Sequence, residues 1–105
     1  WALEGVDQEY FKQLVRGILN YTAELDRVLE QCLDRGLASV DPIERTILRI
    51  GTYELQFRPE IPVRVVLNEA IELARVFGAE GGYRFVNGVL DRCQELCRGS
   101  ELPLA

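Results

Sequence analysis

The chain has 105 residues, 48% of them apolar, which bounds it to one domain at most, or a large part of one, with a sizeable core. Its formal net charge of −5 argues against a nucleic-acid binder that relies on bulk positive potential. No apolar run approaches the ~20 residues of a membrane span, and the first residues lack the zones of a signal peptide, so a cytoplasmic protein is expected.

The elements follow from hydrophobic spacing. Tyr10, Phe11, Leu14, Val15 and Ile18 form an amphipathic stripe that predicts a helix over 7–19, starting near Asp7. Leu25, Val28, Leu29, Cys32 and Leu33 predict a second over 22–35, with Thr22 as its cap and Gly36 as the left-handed residue after it. Asp41-Pro42-Ile43-Glu44 is a helix start: Asp41 as cap, Pro42 in the first position, Glu44 reaching back as in a capping box. That helix is expected over 42–57, with Ile47, Leu48, Gly51 and Leu55 inside. Arg58 to Pro62 is a stiff connector.

A fourth helix over 63–77 carries Val66, Leu67, Ala70, Ile71, Ala74 and Phe77 and stops at Gly78. A fifth, over 81–97, buries most of Phe85, Val86, Val89, Leu90, Cys93, Leu96 and Cys97. Beyond Gly99 a frayed tail is expected. The fold class is all-α, with five helices and a centre at Leu48, Gly51, Leu67, Ile71, Val86 and Leu90.

The chemistry of the chain points away from catalysis. It contains no histidine, which removes one proton shuttle and a common metal ligand. Phosphate-loop, dinucleotide and nucleophile-elbow motifs are lacking. The three cysteines lack zinc-site spacing and read as buried free thiols. No cofactor, no metal and no enzyme activity are expected.

What remains are recognition residues. Lys12 is the single lysine against eleven arginines, which offer planar bidentate donors and stacking faces. Arg75, Arg84 and Arg92 flank the break from Gly78 to Gly82, and Gly81-Gly82 expose backbone donors suited to an anion. Phe85 reads either as core or as a stacking face for an unpaired base. Glu44, Arg45 and Arg49 read either as cap and solvated charge or as a partner surface. Asn68 and Asn87 fall mid-helix, at a cost of ~0.6 kcal/mol against alanine, and a partly buried amide bridging two helices is the favoured account.

The block from Glu44 to Ile50 (ERTILRI), Tyr53-Glu54-Leu55, and the run VLNEAIELARVFGAEGGYRFVNGVLD from Val66 to Asp91 keep their order and spacing. Together they resemble the NusB family of bacterial transcription antitermination factors, from about Phe11 to about Asp91. The resemblance implies an all-helical fold of two packed subdomains: 1–98 as the helical domain, 7–35 belonging to an N-terminal subdomain, 41–98 to a C-terminal one, and 99–105 as tail. It implies that the chain binds boxA-type single-stranded RNA together with ribosomal protein NusE. Through the elongation complex, it would promote read-through by RNA polymerase, notably in ribosomal RNA operons. Glu44, with Arg45 and Arg49, would lie toward NusE; Arg84 and Phe85, with Arg75, would lie near the RNA.

The family begins with an arginine-rich helix and a second helix that have no counterpart before Phe11 here, and often has an acidic residue where Gly81 stands. The chain starts at Trp1 and contains no methionine, which suggests a trimmed N-terminus. Phe11, Leu14, Ile18, Leu25 and Leu29 offer more apolar surface than one hairpin hides, so dimerisation or segment exchange is expected. Two other functions fit the same pattern: an accessory domain of an RNA methyltransferase, or a structural helical module.

Overall fold

The computed structural model describes residues 7–99, and every regular element among them is helical. The order is α1 (Gln8–Asn20), α2 (Thr22–Cys32), a 3₁₀ turn (Leu37–Ser39), α3 (Pro42–Phe57), α4 (Val63–Phe77) and α5 (Gly82–Arg98). The expected tail from residue 100 onward lies outside the described residues.

Local chemistry sets the helix starts. Asp7 accepts from the amides of Glu9 and Tyr10 at 3.0 and 3.2 Å, and Asp41 from those of Ile43 and Glu44 at 3.0 and 3.1 Å. Pro42 occupies the first turn of α3, where its missing N–H has no partner to lose. Gly81 is left-handed at φ 77°, which turns the chain into α5. Two expected caps are replaced. Thr22 donates to the Ile18 carbonyl at 2.7 Å, tying α1 to α2 rather than capping α2. Gly36 is not left-handed: α2 stops at Cys32, and the chain leaves through extended backbone at Leu33.

The main core lies between α3, α4 and α5, and α2 adds Leu29 and Cys32 to it. Leu48, Gly51, Val86 and Leu90 sit at its centre as expected. Gly51 is required there, because a Cβ would lie 2.7 Å from Leu90 Cδ1. Leu67 and Ile71 are only half-buried: the inner stripe of α4 runs through Val63, Val66, Ala70, Leu73 and Ala74, rotated from the expected one. Phe77 is 54% exposed at the end of that helix, and Leu96 is also exposed. Phe77 and Leu73 line one side of an apolar groove of about 380 Å³, with Pro42, Ile43, Thr46, Ile47 and Ile50 on the other.

A smaller cluster of Leu14, Leu25 and Tyr53 docks α1. Leu14, Leu25 and Leu29 are buried, because α2 packs on α3 and α5 rather than on α1 alone. Of the expected surface Ile18 is half-buried and Phe11 stays exposed at 43%, and Val15 and Leu19 extend it along α1 at 40 and 72%. Cys32 and Cys93 are buried free thiols and Cys97 is half-buried. Burial pushes the Cys93 thiol well up, so it behaves as a small apolar residue.

Arg98 closes the far end of the core. Its guanidinium donates to the carbonyls of Leu55, Glu54 and Arg58 at 2.8 Å each and to that of Ile61, gathering the end of α3 and the connector onto α5.

Candidate functional site

The α4–α5 break brings two of the expected arginines together. Arg75 stands in the last turn of α4 and Arg84 in the first turn of α5, both exposed. Between them lies Tyr83, which the sequence reading passed over. The Arg75 guanidinium is 4.5 Å from the centre of its ring and that of Arg84 5.4 Å, while Arg84 Nε donates to the phenol oxygen at 3.2 Å. The phenol pKa is lowered, first by that hydrogen bond and then by the charge of Arg84, with Arg75 adding to it. Each guanidinium carries five donors in a planar fork, so a pair gathered on one ring is a compact site for a phosphate or a carboxylate. This cationic spot sits on an acidic chain.

Phe85 does not join it. The ring is half-buried, packs against the main core, and lies beneath the Arg35 guanidinium at 4.7 Å. The stacking face turned to solvent there is therefore that of Arg35, another residue the sequence reading missed. Arg92 leaves the expected ring around the break: its Nε donates to the Cys32 carbonyl at 2.8 Å and ties α5 to the end of α2.

At Gly81-Gly82 the Gly82 amide already donates to the Ala79 carbonyl at 2.9 Å, and a carboxylate of the protein itself lies over this turn. Glu44 is only 7% exposed, and its Oε2 accepts from the Ala79 amide at 3.4 Å. A Cβ on Gly82 would fall 2.0 Å from that oxygen, and one on Gly78 3.4 Å from it. The carboxylate thus lies against the positive N-terminal end of α5, a favourable place for negative charge. It does not reach back to its own helix start as a capping box would; Asp41 does that work alone.

Of the other α3 candidates, Arg45 is half-buried, one turn before Arg49. Arg49 grips Asp26 of α2 with both ends of its fork, at 2.8 and 2.9 Å. Asn68 and Asn87 are exposed, so neither is the buried bridging amide that was expected.

A second polar cluster joins α1, α3 and α4. The Tyr10 hydroxyl donates to Glu54 Oε2 at 2.5 Å, and Glu69 of α4 lies near enough for its charge to act on Glu54. Burial raises the Glu54 carboxyl, and the charge of Glu69 adds to this; the Tyr10 hydrogen bond and the charges of Arg58 and Arg98 pull it back. Burial also raises Glu69. The Tyr10 hydroxyl is raised well above its ordinary value, by burial first and then by its bond to Glu54. At this junction burial and the neighbouring charge of Glu69 both disfavour the ionised form of Glu54.

No helix among the described residues is long and apolar enough to cross a membrane. The sequence profile of the NusB family matches residues 2–95. The chain is 54% identical over 99 residues to the transcription antitermination protein NusB of Nitrosococcus oceani, covering 94% of this chain and 67% of that one. It is 56% identical over 93 residues to the protein of the same name from Methylococcus capsulatus, covering 89% and 47%. The chain thus spans about two thirds of the first relative and about half of the second. The solved structure of T. maritima NusB superposes with a TM-score of 0.85 at 32% identity, covering 95% of this chain and 74% of that one. The helices that bring Arg75 to Arg84 and seat Glu44 against α5 are therefore arranged as in that structure's fold, and by profile and relatives alike the chain belongs to the NusB family.

Proposed function

We propose that this chain acts in transcription antitermination by binding boxA-type single-stranded RNA jointly with ribosomal protein NusE, so that RNA polymerase reads through terminators, notably in ribosomal RNA operons. The observation that carries the reading is the Arg75–Tyr83–Arg84 group at the α4–α5 break of a NusB-family chain. Backbone phosphates bind the two guanidiniums, and bases beside them stack on Arg35 where it lies flat over Phe85. The α3 side that bears Arg45 and Arg49 contacts NusE, with Glu44 behind it. The net charge of −5 explains why a partner is needed: alone, the chain lacks the positive field that drives RNA affinity.

The test is a fluorescence titration of labelled boxA RNA with the chain, with NusE, and with both. The reading expects the pair to bind at least tenfold tighter than either protein, and Arg84→Ala to weaken the ternary complex. Equal affinity with and without the chain refutes it.

A further inference from the structure

An acid from another helix, 35 residues upstream of Ala79, reaches into the α4–α5 break. We infer that Glu44 is a positioning residue for the RNA-contacting arginines: its buried carboxylate holds the 78–82 turn, and with it the start of α5 that presents Tyr83 and Arg84. The inference rests on the RNA-binding reading above and adds a role inside the protein to a residue otherwise taken as a surface contact.

Three observations carry it. Glu44 is 7% exposed while its neighbours Ile43 and Arg45 are more open, so the side chain is turned into the protein. Its Oε2 accepts from the amide of Ala79, in the middle of the turn. Both glycines that flank the turn leave room for that oxygen: an added Cβ would meet it at 3.4 Å from Gly78 and 2.0 Å from Gly82. Asp41 already caps α3, so the carboxylate is not needed at its own helix start. Gly82 is the first residue of α5, Tyr83 and Arg84 the next two, and the Arg75 guanidinium is stacked on the Tyr83 ring. A shift of the turn therefore moves Tyr83 and Arg84 and takes the ring away from beneath Arg75.

The test compares Glu44→Ala, Glu44→Gln, Gly82→Ala and the Glu44→Ala/Gly82→Ala double variant, each measured for boxA RNA affinity in the presence of NusE and for NusE affinity alone. Glu44→Ala is expected to weaken RNA binding about tenfold, the order of losing one charge-assisted hydrogen bond, with NusE affinity within about twofold of the parent. Glu44→Gln restores most of the RNA affinity, because its carboxamide oxygen still accepts from Ala79. Gly82→Ala, which evicts the carboxylate from the other side, reproduces the loss, and the double variant loses no more than either single one.

Amide exchange of Ala79, faster in Glu44→Ala than in Glu44→Gln, reads the same contact without any ligand. If Glu44→Ala leaves RNA affinity unchanged while Arg84→Ala lowers it, the inference fails and the RNA-binding reading stands. If Glu44→Ala and Glu44→Gln lower NusE affinity alike and Gly82→Ala does nothing, Glu44 is a direct partner contact and the inference is overturned. Failure of the parent chain and NusE to bind the RNA at all sinks the broader reading instead.

Discussion

Replacing Arg98 by methionine keeps most of the apolar stem and removes the fork that binds the carbonyls of Glu54, Leu55, Arg58 and Ile61. A hydrogen bond to a charged group is worth roughly 1.5–3 kcal/mol net, but these bonds share one guanidinium. The Glu54 and Arg58 carbonyls also accept from the amides of Arg58 and Ile61 at 3.1 and 3.0 Å, so they are not left bare. The whole loss should be about 3 kcal/mol, a large fraction of the ~5–15 kcal/mol that holds a domain together. At ~4–8 °C per kcal/mol for a domain near this size, the melting temperature falls by roughly 12–24 °C. Lysine, a compact charge without the planar fork, recovers only part of it. Urea unfolding with linear extrapolation measures the change. A loss below about 1 kcal/mol, the value of an ordinary surface pair, or full recovery by Arg98→Lys, would refute the argument that the fork gathers the end of α3.

The Glu54–Glu69 junction sets a pH dependence. Both carboxyls titrate above their ordinary values in the fold, so their contribution to stability is fully present below the ordinary carboxylate range, near ~4.3, and is lost as pH rises through the raised values. The melting temperature should therefore rise as pH falls from ~7.5 toward ~5, and Glu69→Gln should flatten that slope; a fall over the same range contradicts it. A double-mutant cycle on Arg49 and Asp26, each about a quarter exposed, should give a coupling of about 1 kcal/mol that weakens in salt, and zero coupling would mean the bidentate pair is ornamental. The stripe of Phe11, Val15 and Leu19 should make the chain self-associate at micromolar concentration, with Leu19→Glu restoring monomers; sedimentation as a clean monomer rules that out.

Helix positions were legible because they are written locally. Asp7 and Asp41 act on amides two and three residues away, and the apolar periodicity of α3 and α5 is carried by their own residues. What the sequence did not disclose are contacts across the chain. Glu44 satisfies a capping-box spacing, yet the amide it serves is that of Ala79, and no local pattern distinguishes the two. Gly78 and Gly82 read as a break; that Gly82 also clears space for a carboxylate from α3 is a tertiary fact. Arg98 carries no local mark of its role, because the carbonyls it binds lie 37 to 44 residues earlier. Phe77 misled for a related reason: it has the spacing of the α4 stripe, but the helix has run past the core there and leaves it at the rim of a groove. Tyr83 had a possible signal, an aromatic between the arginines at 75 and 84 beside a helix start.

The central claim is that RNA is held at the α4–α5 break and NusE on α3, and hydrogen–deuterium exchange on the assembled complex tests it most directly. Adding NusE should slow exchange along 43–50, and adding boxA RNA to that pair should slow it further at 75–86, with Arg84→Ala abolishing only the second effect. Protection by RNA elsewhere on the chain, with residues 75–86 unchanged, would contradict the account.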